Sequence, residues 1–363
     1  MLQLTERNRN SVNPILYSLA KRFLFTLSPE TAHELTLSGL RTAEKLRLLP
    51  LMMGKPVDDP VEVMGLKFPN RVGLAAGMDK QGNTVAAFGA VGFGFVEAGT
   101  LTPRPQPGNP KPRLFRCIPA QAIVNHMGIN NPGIEQGVKN LSSTARFNGV
   151  LGVNISKNKT TPNEEARIDY LECLRAAWPV ADYVTINFSC PNVPNLCELA
   201  KAESAADLLA SLKSEQANLS QETGRYVPIV MKVSPDMSEA QIRELAHVFC
   251  DSQLDGLICT NTTTSRTGIE QYPQAKESGG LSGAPLYNRA NETLEAFAQE
   301  LRGRIPIIGV GGITKPEDAV AKIRAGASLV QLYTGFIYKG PALVRGCAKA
   351  IKAHFAAQKQ TEN

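Results

Sequence analysis

Short apolar runs rich in β-branched residues recur along most of the chain, and segments of helical length separate them. The runs cover residues 72–75, 94–98, 150–153, 183–186, 229–233, 256–259, 307–310 and 329–332, and helical spacing of apolar residues marks 238–250, 287–301 and 315–325 between them. Continuously apolar strands that alternate with helices are typical of a parallel sheet buried on both faces. Eight such strands predict an α/β fold, a closed (β/α)8 TIM barrel, with a doubly wound open sheet as the alternative. No G-x-G-x-x-G motif follows an early strand, which weakens a dinucleotide-binding interpretation of the open sheet.

The region before the barrel has a different pattern. Residues 14–27 are apolar on most sides, and Ser28, Pro29 and Glu30 then form a helix start, with a hydroxyl N-cap and an acidic first turn. We therefore predict an N-terminal helical hairpin, followed by a small strand hairpin around residues 61–65. Two interpretations of the helices stay open: they pack on the barrel, or they lie in the plane of a membrane surface. The second would use a basic fringe made of Lys21, Arg22, Arg41, Lys45 and Arg47.

Composition narrows the class of protein. The 363 residues are 43% hydrophobic and 20% charged, as in ordinary globular proteins, and contain no run of 18 apolar residues that would predict a spanning helix. The net charge of +6 is spread without a block of like charges, which argues against nucleic-acid binding. Seven cysteines without a C-x-x-C pair and four histidines predict neither a disulfide framework nor a zinc site, and indicate a reducing compartment. The polar first thirteen residues lack the apolar core of a secretion signal.

Polar side chains and glycines follow the predicted strands at their carboxyl ends, where the active site of such a barrel lies. They are Gly77, Lys80, Thr100, Asn154, Asn187, Lys232, Thr260, Asn261, Thr262, Gly312, Tyr333 and Thr334. A buried polar group without a partner costs about 1–3 kcal/mol, so a set of them predicts a bound polar ligand.

Part of that ligand is predicted to be a phosphate. Gly311 and Gly312 follow the seventh strand and Thr334 follows the eighth, where barrels often bind phosphate through backbone N–H groups. A further glycine-rich loop spans residues 279–283. The chain has no H-E-x-x-H and no G-x-S-x-G motif, so neither a metal-protease site nor a nucleophilic serine is predicted. One flavin mononucleotide (FMN) per subunit fits: one phosphate, one redox ring and no second nucleotide.

A turn after the fourth strand carries the candidate reactive group. Residues 187–195 bring together the hydroxyl of Ser189, the thiol of Cys190, two prolines and three amides. Prolines fix the backbone, and amides offer a donor and an acceptor side by side. The turn can hold a planar polar ligand against a reactive side chain; the alternative is a proline-rich surface loop with a spectator thiol.

These residues resemble the dihydroorotate dehydrogenases, and among them the membrane-associated, quinone-reducing class 2. The resemblance covers nearly the whole chain, and its most specific blocks are residues 73–80, 102–109, 112–116, 125–131, 260–263 and 279–283. It implies a flavin barrel that oxidises (S)-dihydroorotate to orotate in pyrimidine biosynthesis and passes the electrons to a ubiquinone-type quinone.

The resemblance implies a role for each matching residue. It places FMN against Ala76, Gly77, Thr100, Asn154, Asn187, Lys232, Thr260, Gly283, Gly312, Tyr333 and Thr334. It places the substrate against Lys80, Asn125, His126, Met127, Gly128, Ile129, Asn187, Asn192, Asn261 and Thr262. It places the quinone against His33, Arg116 and Tyr333.

The same resemblance implies two functional segments in the chain and a cellular location for the protein. Residues 1–50 are expected to form a helical segment that contacts the membrane and houses the quinone tunnel, and residues 51–363 the FMN-binding barrel. We expect a peripheral protein of a bacterial inner membrane, on the cytoplasmic side, because no Arg/Ser-rich transit segment with a following spanning helix precedes the hairpin. We expect a monomer.

The chain departs from the class 2 pattern at several positions of the substrate site. Cys190 stands where class 2 members carry a serine base; the soluble class 1 members carry a cysteine there. Class 2 members more often have arginine and phenylalanine at the positions of His126 and Ile129, glycine at Ser156, and a different residue at Cys197. Since a thiol has a reference pKa of about 8.5, we predict that Cys190 is the base, with Ser189 supporting the turn and serving as the fallback base.

Four other functions compete with this prediction. They are a soluble class 1-like dihydroorotate dehydrogenase that uses fumarate or NAD, an FMN barrel acting on dihydropyrimidines without a carboxylate, a non-redox barrel that binds a sugar phosphate, and an inactive membrane-surface binding protein. The apolar stretch 14–49 argues against the first, and Lys80 with four asparagines against the second.

Overall fold

The computed structural model describes residues 14–144, 146–189, 199 and 201–361. Its centre is a closed barrel of eight strands, in which every neighbouring pair is parallel. In barrel order the strands are β3 (Val72–Leu74), β4 (Phe95–Leu101), β7 (Val150–Ile155), β8 (Tyr183–Asn187), β9 (Ile229–Val233), β10 (Gly256–Cys259), β12 (Ile307–Val310) and β13 (Ala327–Leu332). The predicted TIM barrel is confirmed, and closure between β9 and β10 excludes the open sheet.

Alternation along each strand separates an inner layer from an outer one. Phe95, Tyr183, Ile258 and Leu329 point into the barrel and form one buried cluster. The residues between them, such as Val96, Val184 and Val330, pack against the surrounding helices in a second, larger core. The strands are apolar on both faces because both are buried, which explains their continuous hydrophobic runs.

A strand hairpin closes the amino-terminal end of the barrel. It consists of β1 (Val61–Val63) and β2 (Leu66–Phe68), which pair antiparallel. Phe68 is fully buried and meets the Phe95 ring edge-on, with 5.3 Å between the ring centroids. The predicted hairpin is therefore present, and the interior is accessible from the carboxyl end of the strands.

Helices surround the barrel and alternate with its strands. They are α4 (Val85–Val91), α5 (Ile134–Ser143), α6 (Ala166–Ala177), α7 (Ala202–Thr223), α8 (Glu239–Asp251), α9 (Tyr287–Leu301), α10 (Pro316–Arg324), α11 (Thr334–Lys339) and α12 (Pro341–Thr361). Ser238 caps α8 through a capping box with Gln241, so the helix begins one residue after the predicted start.

A three-stranded antiparallel sheet lies over the carboxyl end, and the apolar pattern did not predict it. It contains β5 (Leu114–Cys117), β6 (Ala122–Asn125) and β11 (Gly280–Gly283), in the order β11-β6-β5. Asn125 pairs with Gly280 across 155 residues of sequence, so the sheet joins the loops after β4 and β10.

The amino-terminal helices pack beside this sheet. They are α1 (Pro14–Leu24), α2 (Pro29–Lys45) and α3 (Leu49–Met53), so a short third helix follows the two of the predicted hairpin. Ser28 caps α2 as predicted, because its Oγ accepts a hydrogen bond from the Thr31 N–H at 3.3 Å. Tyr17 Oη donates to the Ile337 carbonyl at 2.7 Å, which fixes α1 against α11. Within the described ranges, no helix is both long and apolar enough to cross a membrane.

Candidate active site

A cavity opens between the carboxyl ends of the barrel strands and the three-stranded sheet. It is lined by the predicted cofactor residues Ala76, Gly77, Thr100, Asn187, Lys232, Thr260, Gly283, Gly312, Tyr333 and Thr334. Asn154 lies directly behind them, where its Oδ1 accepts a 2.6 Å hydrogen bond from Thr100 Oγ1. The structure therefore brings the predicted cofactor residues to one place.

A chain of amides and hydroxyls runs along the inner wall of the cavity. Asn187 Nδ2 donates to Thr100 Oγ1 at 3.3 Å, and Asn261 Nδ2 donates to Asn187 Oδ1 at 3.3 Å. Asn187 and Lys232 are register partners on β8 and β9, so both side chains reach the same end of the barrel. The wall presents planar donors and acceptors, as a planar heterocycle requires.

The floor of the cavity rests on a buried carboxylate that the sequence analysis missed. Glu97 is fully buried and accepts hydrogen bonds from Asn154 Nδ2 at 2.7 Å, Tyr183 Oη at 3.0 Å and Gln331 Nε2 at 2.8 Å. Burial, and then the charge of Glu97, raise the pKa of Tyr183 well above its ordinary value, so its phenol stays a donor. Gln331 lines the cavity, and its Oε1 has no partner among the described residues.

Period-two alternation was the signal that could have revealed both residues. Glu97 follows the inward-facing Phe95 by two positions, and Gln331 follows the inward-facing Leu329 by two.

The predicted phosphate site, which we call the phosphate corner, has a tight glycine backbone. A Cβ on Gly312 (φ +76°) would lie 2.3 Å from Tyr287 Cα, and a Cβ on Gly283 (φ +98°) would lie 2.2 Å from the Gln121 carbonyl oxygen. Beside them, the hydroxyls of Ser282 and Thr334 are 2.8 Å apart. Glycine is required here for both conformation and space, and the backbone can approach a ligand closely. Ser282 was not predicted. The signal was its place in the glycine-rich loop 279–283, directly after the buried Leu281.

Most predicted substrate residues line the same cavity. Those that do are Lys80, Asn125, Met127, Ile129, Asn187, Asn261 and Thr262. His126 and Gly128 are not part of the lining: the His126 N–H donates to the Arg113 carbonyl, and the Gly128 carbonyl accepts from Gln106 Nε2. Cys190 and Asn192 lie outside the described residues. Asn130, Leu114 and Ile123 also line the cavity and were not predicted.

Lys80 is the lysine whose pKa is most relevant to the site. Burial, and then the positive charge of Arg113, lower its pKa to about 8, whereas Glu30 and Asp79 oppose the shift. Its Nζ donates to the Gly77 carbonyl at 2.5 Å. An ammonium held this way can pair with an incoming carboxylate.

Ser189, the fallback base, is buried and already engaged. Its Oγ donates to the Lys232 carbonyl at 2.5 Å and accepts from Asn261 Nδ2 at 3.3 Å. This arrangement ties the end of β8 to β9.

Of the three residues predicted to bind the quinone, Arg116 and His33 meet or lie on the amino-terminal helices, and Tyr333 lines the cavity. Arg116 donates to the carbonyls of Leu24 and Leu27, and its guanidinium lies 4.7 Å from the centroid of the Phe25 ring. His33 lies on α2, where burial and then the charge of Lys80 lower its pKa to about 3. Tyr333 lines the cavity, and burial raises its pKa to about 12. His33 and Tyr333 are therefore neutral at physiological pH.

The fold and the cavity define the class of protein: a (β/α)8-barrel enzyme with its site at the carboxyl ends of the strands. No cluster of three or more His, Cys, Asp or Glu side chains able to hold a metal ion occurs within the described ranges. The dihydroorotate dehydrogenase family model matches residues 60–355, and the chain belongs to this family. The family is one of flavin-dependent oxidoreductases.

Two curated relatives and a crystal structure are similar over almost their whole lengths. A "Dihydroorotate dehydrogenase (quinone)" from Akkermansia muciniphila is 67% identical over 94% of this chain and 98% of its own. One of the same name from Cellvibrio japonicus is 52% identical over 94% and 100%. The Eimeria tenella DHODH in complex with ferulenol superposes with a TM-score of 0.83 at 34% identity, covering 92% of this chain and 93% of its own.

Proposed function

We propose that this protein oxidises (S)-dihydroorotate to orotate in pyrimidine biosynthesis and transfers the electrons to a membrane quinone. The observation that carries the proposal is the single cavity that joins Lys80, Asn187, Asn261 and Thr262 to the phosphate corner. The relatives named as quinone enzymes favour this function over a class 1-like use of fumarate or NAD.

The residues around the cavity fit one FMN per subunit. Gly312, Gly283, Ser282 and Thr334 supply close backbone and hydroxyl donors for one phosphate. The unpartnered Oε1 of Gln331 supplies an acceptor for a ring N–H. Bound FMN would supply the two-electron chemistry between substrate and quinone. We assign Lys232 to the electron-rich end of the ring, where a cation favours the reduced state.

The chain's own groups hold the substrate. We assign the Lys80 ammonium to the carboxylate of dihydroorotate, and the amides of Asn125, Asn187 and Asn261 to the polar edge of its ring. Met127, Ile129 and Thr262 complete the contacts. Fixing the ring in this way aligns the C5 proton with a base and C6 with the cofactor. We assign Asn192 to the same polar edge of the ring. His126 and Gly128 would act through their backbone, by holding in place the segment that carries these contacts.

We assign the base to Cys190, which would take the C5 proton. The support is that Ser189 uses its hydroxyl proton on the Lys232 carbonyl and does not line the cavity. Reduction of the flavin by dihydroorotate in Cys190→Ala, followed by absorbance, tests the assignment. Near-normal flavin reduction in that variant would rule it out. Cys190→Ser should move the kinetic pKa upward, and an unchanged pH profile counts against a thiol base.

We assign quinone access and membrane contact to residues 1–50, and the FMN-binding barrel to residues 51–363. Support comes from an exposed apolar surface on the described helices α1 to α3 and the turns between them, which we call the apolar face: Leu19, Phe23, Leu35, Leu46, Leu48, Leu51 and Met52. Basic Arg22 and Lys45 lie on the same helices. An apolar face with basic residues fits a peripheral membrane element. His33, Arg116 and Tyr333 would line the quinone path beside it.

We further propose a monomer at the cytoplasmic side of a bacterial inner membrane. The bacterial sources of the relatives support the membrane type.

A comparison of electron acceptors tests the function. The purified protein should show a flavin spectrum, and dihydroorotate should bleach it. Quinone should then restore the oxidised spectrum faster than fumarate or NAD. Absence of bound flavin would exclude the proposal, and faster reoxidation by fumarate or NAD would favour the class 1-like alternative.

A further inference from the structure

A continuous set of contacts joins helix α2 to the segment 125–129 of the cavity. It begins at Arg113, which is 6% exposed and whose Nε and Nη2 donate to Glu30 Oε1 at 3.2 and 3.0 Å. Glu30 lies in the first turn of α2. A buried guanidinium needs a charge partner, and removal of that partner is strongly destabilising. Glu30 therefore determines where the Arg113 side chain can lie.

The other side of the Arg113 guanidinium holds a loop. Its Nη1 donates to the carbonyls of Pro107 at 2.6 Å and Asn109 at 2.8 Å. A guanidinium is planar and rigid, so the carboxylate on one edge and the two carbonyls on the other are held in fixed relation. Displacement of Glu30 would therefore be transmitted to residues 107–109.

This loop in turn holds the segment that carries predicted substrate contacts. The Asn109 N–H donates to the Met127 carbonyl at 3.0 Å, and Asn109 Nδ2 donates to the His126 carbonyl at 3.0 Å. The His126 N–H donates to the Arg113 carbonyl at 2.7 Å. A Cβ on Gly108 would lie 2.3 Å from the Met127 carbonyl oxygen, so the backbone of the loop 107–109 is in close contact with the backbone at Met127. The position of Met127 thus depends on the loop.

We infer that Glu30 and Arg113 are positioning residues that make the affinity for the dihydroorotate–orotate pair depend on how α2 is seated. The inference rests on the proposed function, because it takes segment 125–129 as part of the substrate site. Neither side chain lines the cavity. Since α2 also carries Leu35 of the apolar face, the same helix contacts both the proposed membrane surface and the support of the substrate segment. Coupling of this kind is reciprocal: bound substrate would also favour the seated position of α2.

The test measures orotate binding to the flavin-loaded enzyme by the change in flavin absorbance. Glu30→Gln keeps the size of the side chain and removes its charge. We expect the orotate Kd to rise about tenfold, which corresponds to the loss of one charge-assisted hydrogen bond. With an artificial dye as oxidant, the KM for dihydroorotate should rise while kcat changes little, because Glu30 touches no reacting atom.

All variants are measured at about pH 6, well below the Lys80 pKa of about 8, because Glu30 also raises that pKa and the Lys80 ammonium must stay charged throughout. Two matched variants then separate positioning from a general charge effect. Lys111 Nζ also lies 3.7 Å from Glu30 Oε1, but the Lys111 side chain is 61% exposed, so Lys111→Gln should leave the orotate Kd unchanged. Glu34→Gln removes an exposed charge one turn further along α2 and should also have no effect. An orotate Kd in Glu30→Gln within twofold of these controls would overturn the inference.

A double-mutant cycle gives a second measurement. If the pair acts as a unit, Arg113→Met and the double variant should weaken orotate binding by the same factor. Additive effects would overturn the inference. If Glu30→Gln does not fold, Glu30→Asp keeps the charge but retracts it by one methylene, and a smaller rise in Kd is expected. Failure of the wild-type enzyme to bind orotate at all would instead refute the proposed function.

Discussion

Glu97 Oε2 accepts a hydrogen bond of 2.8 Å from Gln331 Nε2, and this contact sets the direction of the Gln331 amide. A carboxylate accepts hydrogen bonds, so the NH2 group must face Glu97 and the amide oxygen must face away from it. The same carboxylate orients Asn154, whose Oδ1 is thereby free to accept from Thr100. One buried charge therefore determines the polarity of two amides at the cavity floor.

Glu97→Gln should disturb this floor, because a glutamine can donate as well as accept and no longer fixes the amides. We expect FMN to dissociate about tenfold more readily, which corresponds to one lost hydrogen bond. We also expect a more positive flavin reduction potential, since a buried negative charge near the ring is removed. Potentiometric titration and the FMN dissociation constant measure the two effects. Thr185→Val, which changes a buried barrel residue without altering charge, is the control and should leave the potential in place.

Binding of the substrate carboxylate should weaken above the pKa of Lys80, which is about 8. The groups that face Lys80 are His33 and Glu30 on α2, Arg113 on the loop before β5, and the adjacent Asp79. The charged ammonium is the binding form, so a pH above 8 removes it and raises the orotate Kd about tenfold per unit. Lys80→Met should bind orotate weakly at every pH. An orotate Kd that is constant from pH 7 to 9.5 in the wild type would contradict the assignment.

Replacement of Leu19 and Phe23 by serine should reduce binding to lipid vesicles. These side chains are 57% and 59% exposed, and burial of each in lipid contributes about 1.5–3 kcal/mol, so the double variant should partition at least tenfold less. Orotate binding should not change. Ile168→Ser is the matched control, because Ile168 is 59% exposed on α6, away from the apolar face. Equal losses in the control and the test variant would argue against a membrane role for the helices.

Lys322 should make the stability of the fold depend on pH. It is fully buried, its Nζ donates to Asn291 Oδ1 at 2.8 Å, and burial lowers its pKa from 10.5 to about 7, an effect that Cys259 and Asp318 oppose. Between pH 7 and 10.5 the unfolded chain keeps the Lys322 proton that the folded chain has lost, so the free energy of unfolding rises with pH. Lys322 therefore destabilises the fold most at pH 7 and below. The destabilisation disappears as the pH approaches 10.5. Lys322→Met should raise the denaturant midpoint at pH 7 more than at pH 9.5. The exposed Lys349→Met should change neither midpoint.

The barrel could be predicted because each of its strands is buried on both faces and so appears as an apolar run. The sheet over its mouth could not, because β5 and β6 are short and follow a proline-rich stretch, and β11 comes far later in the chain. The pairing of Asn125 with Gly280 depends on the closed barrel, which brings the loops after β4 and β10 together. Local periodicity carries no information about such a contact.

The site was predicted best where polar residues interrupt the end of a strand, as at Asn187 and Lys232. Glu97 and Gln331 were missed because each lies within an apolar strand, where the run of hydrophobic neighbours hides a single polar side chain. The roles of Cys190 and Asn192 remain predictions, since both residues lie outside the described ranges.

Main-chain carbonyls are the acceptors in the hydrogen bonds that hold α1 and the turn after it in place. Tyr17 and Lys21 donate to the carbonyls of Ile337 and Tyr338, and Arg116 donates to the carbonyls of Leu24 and Leu27. Every residue type offers the same carbonyl, so these contacts place no demand on the side chains at the accepting positions. The exposed side chains of the helix, such as Leu19 and Phe23, can consequently be exchanged without loss of the contacts that hold the helix on the barrel.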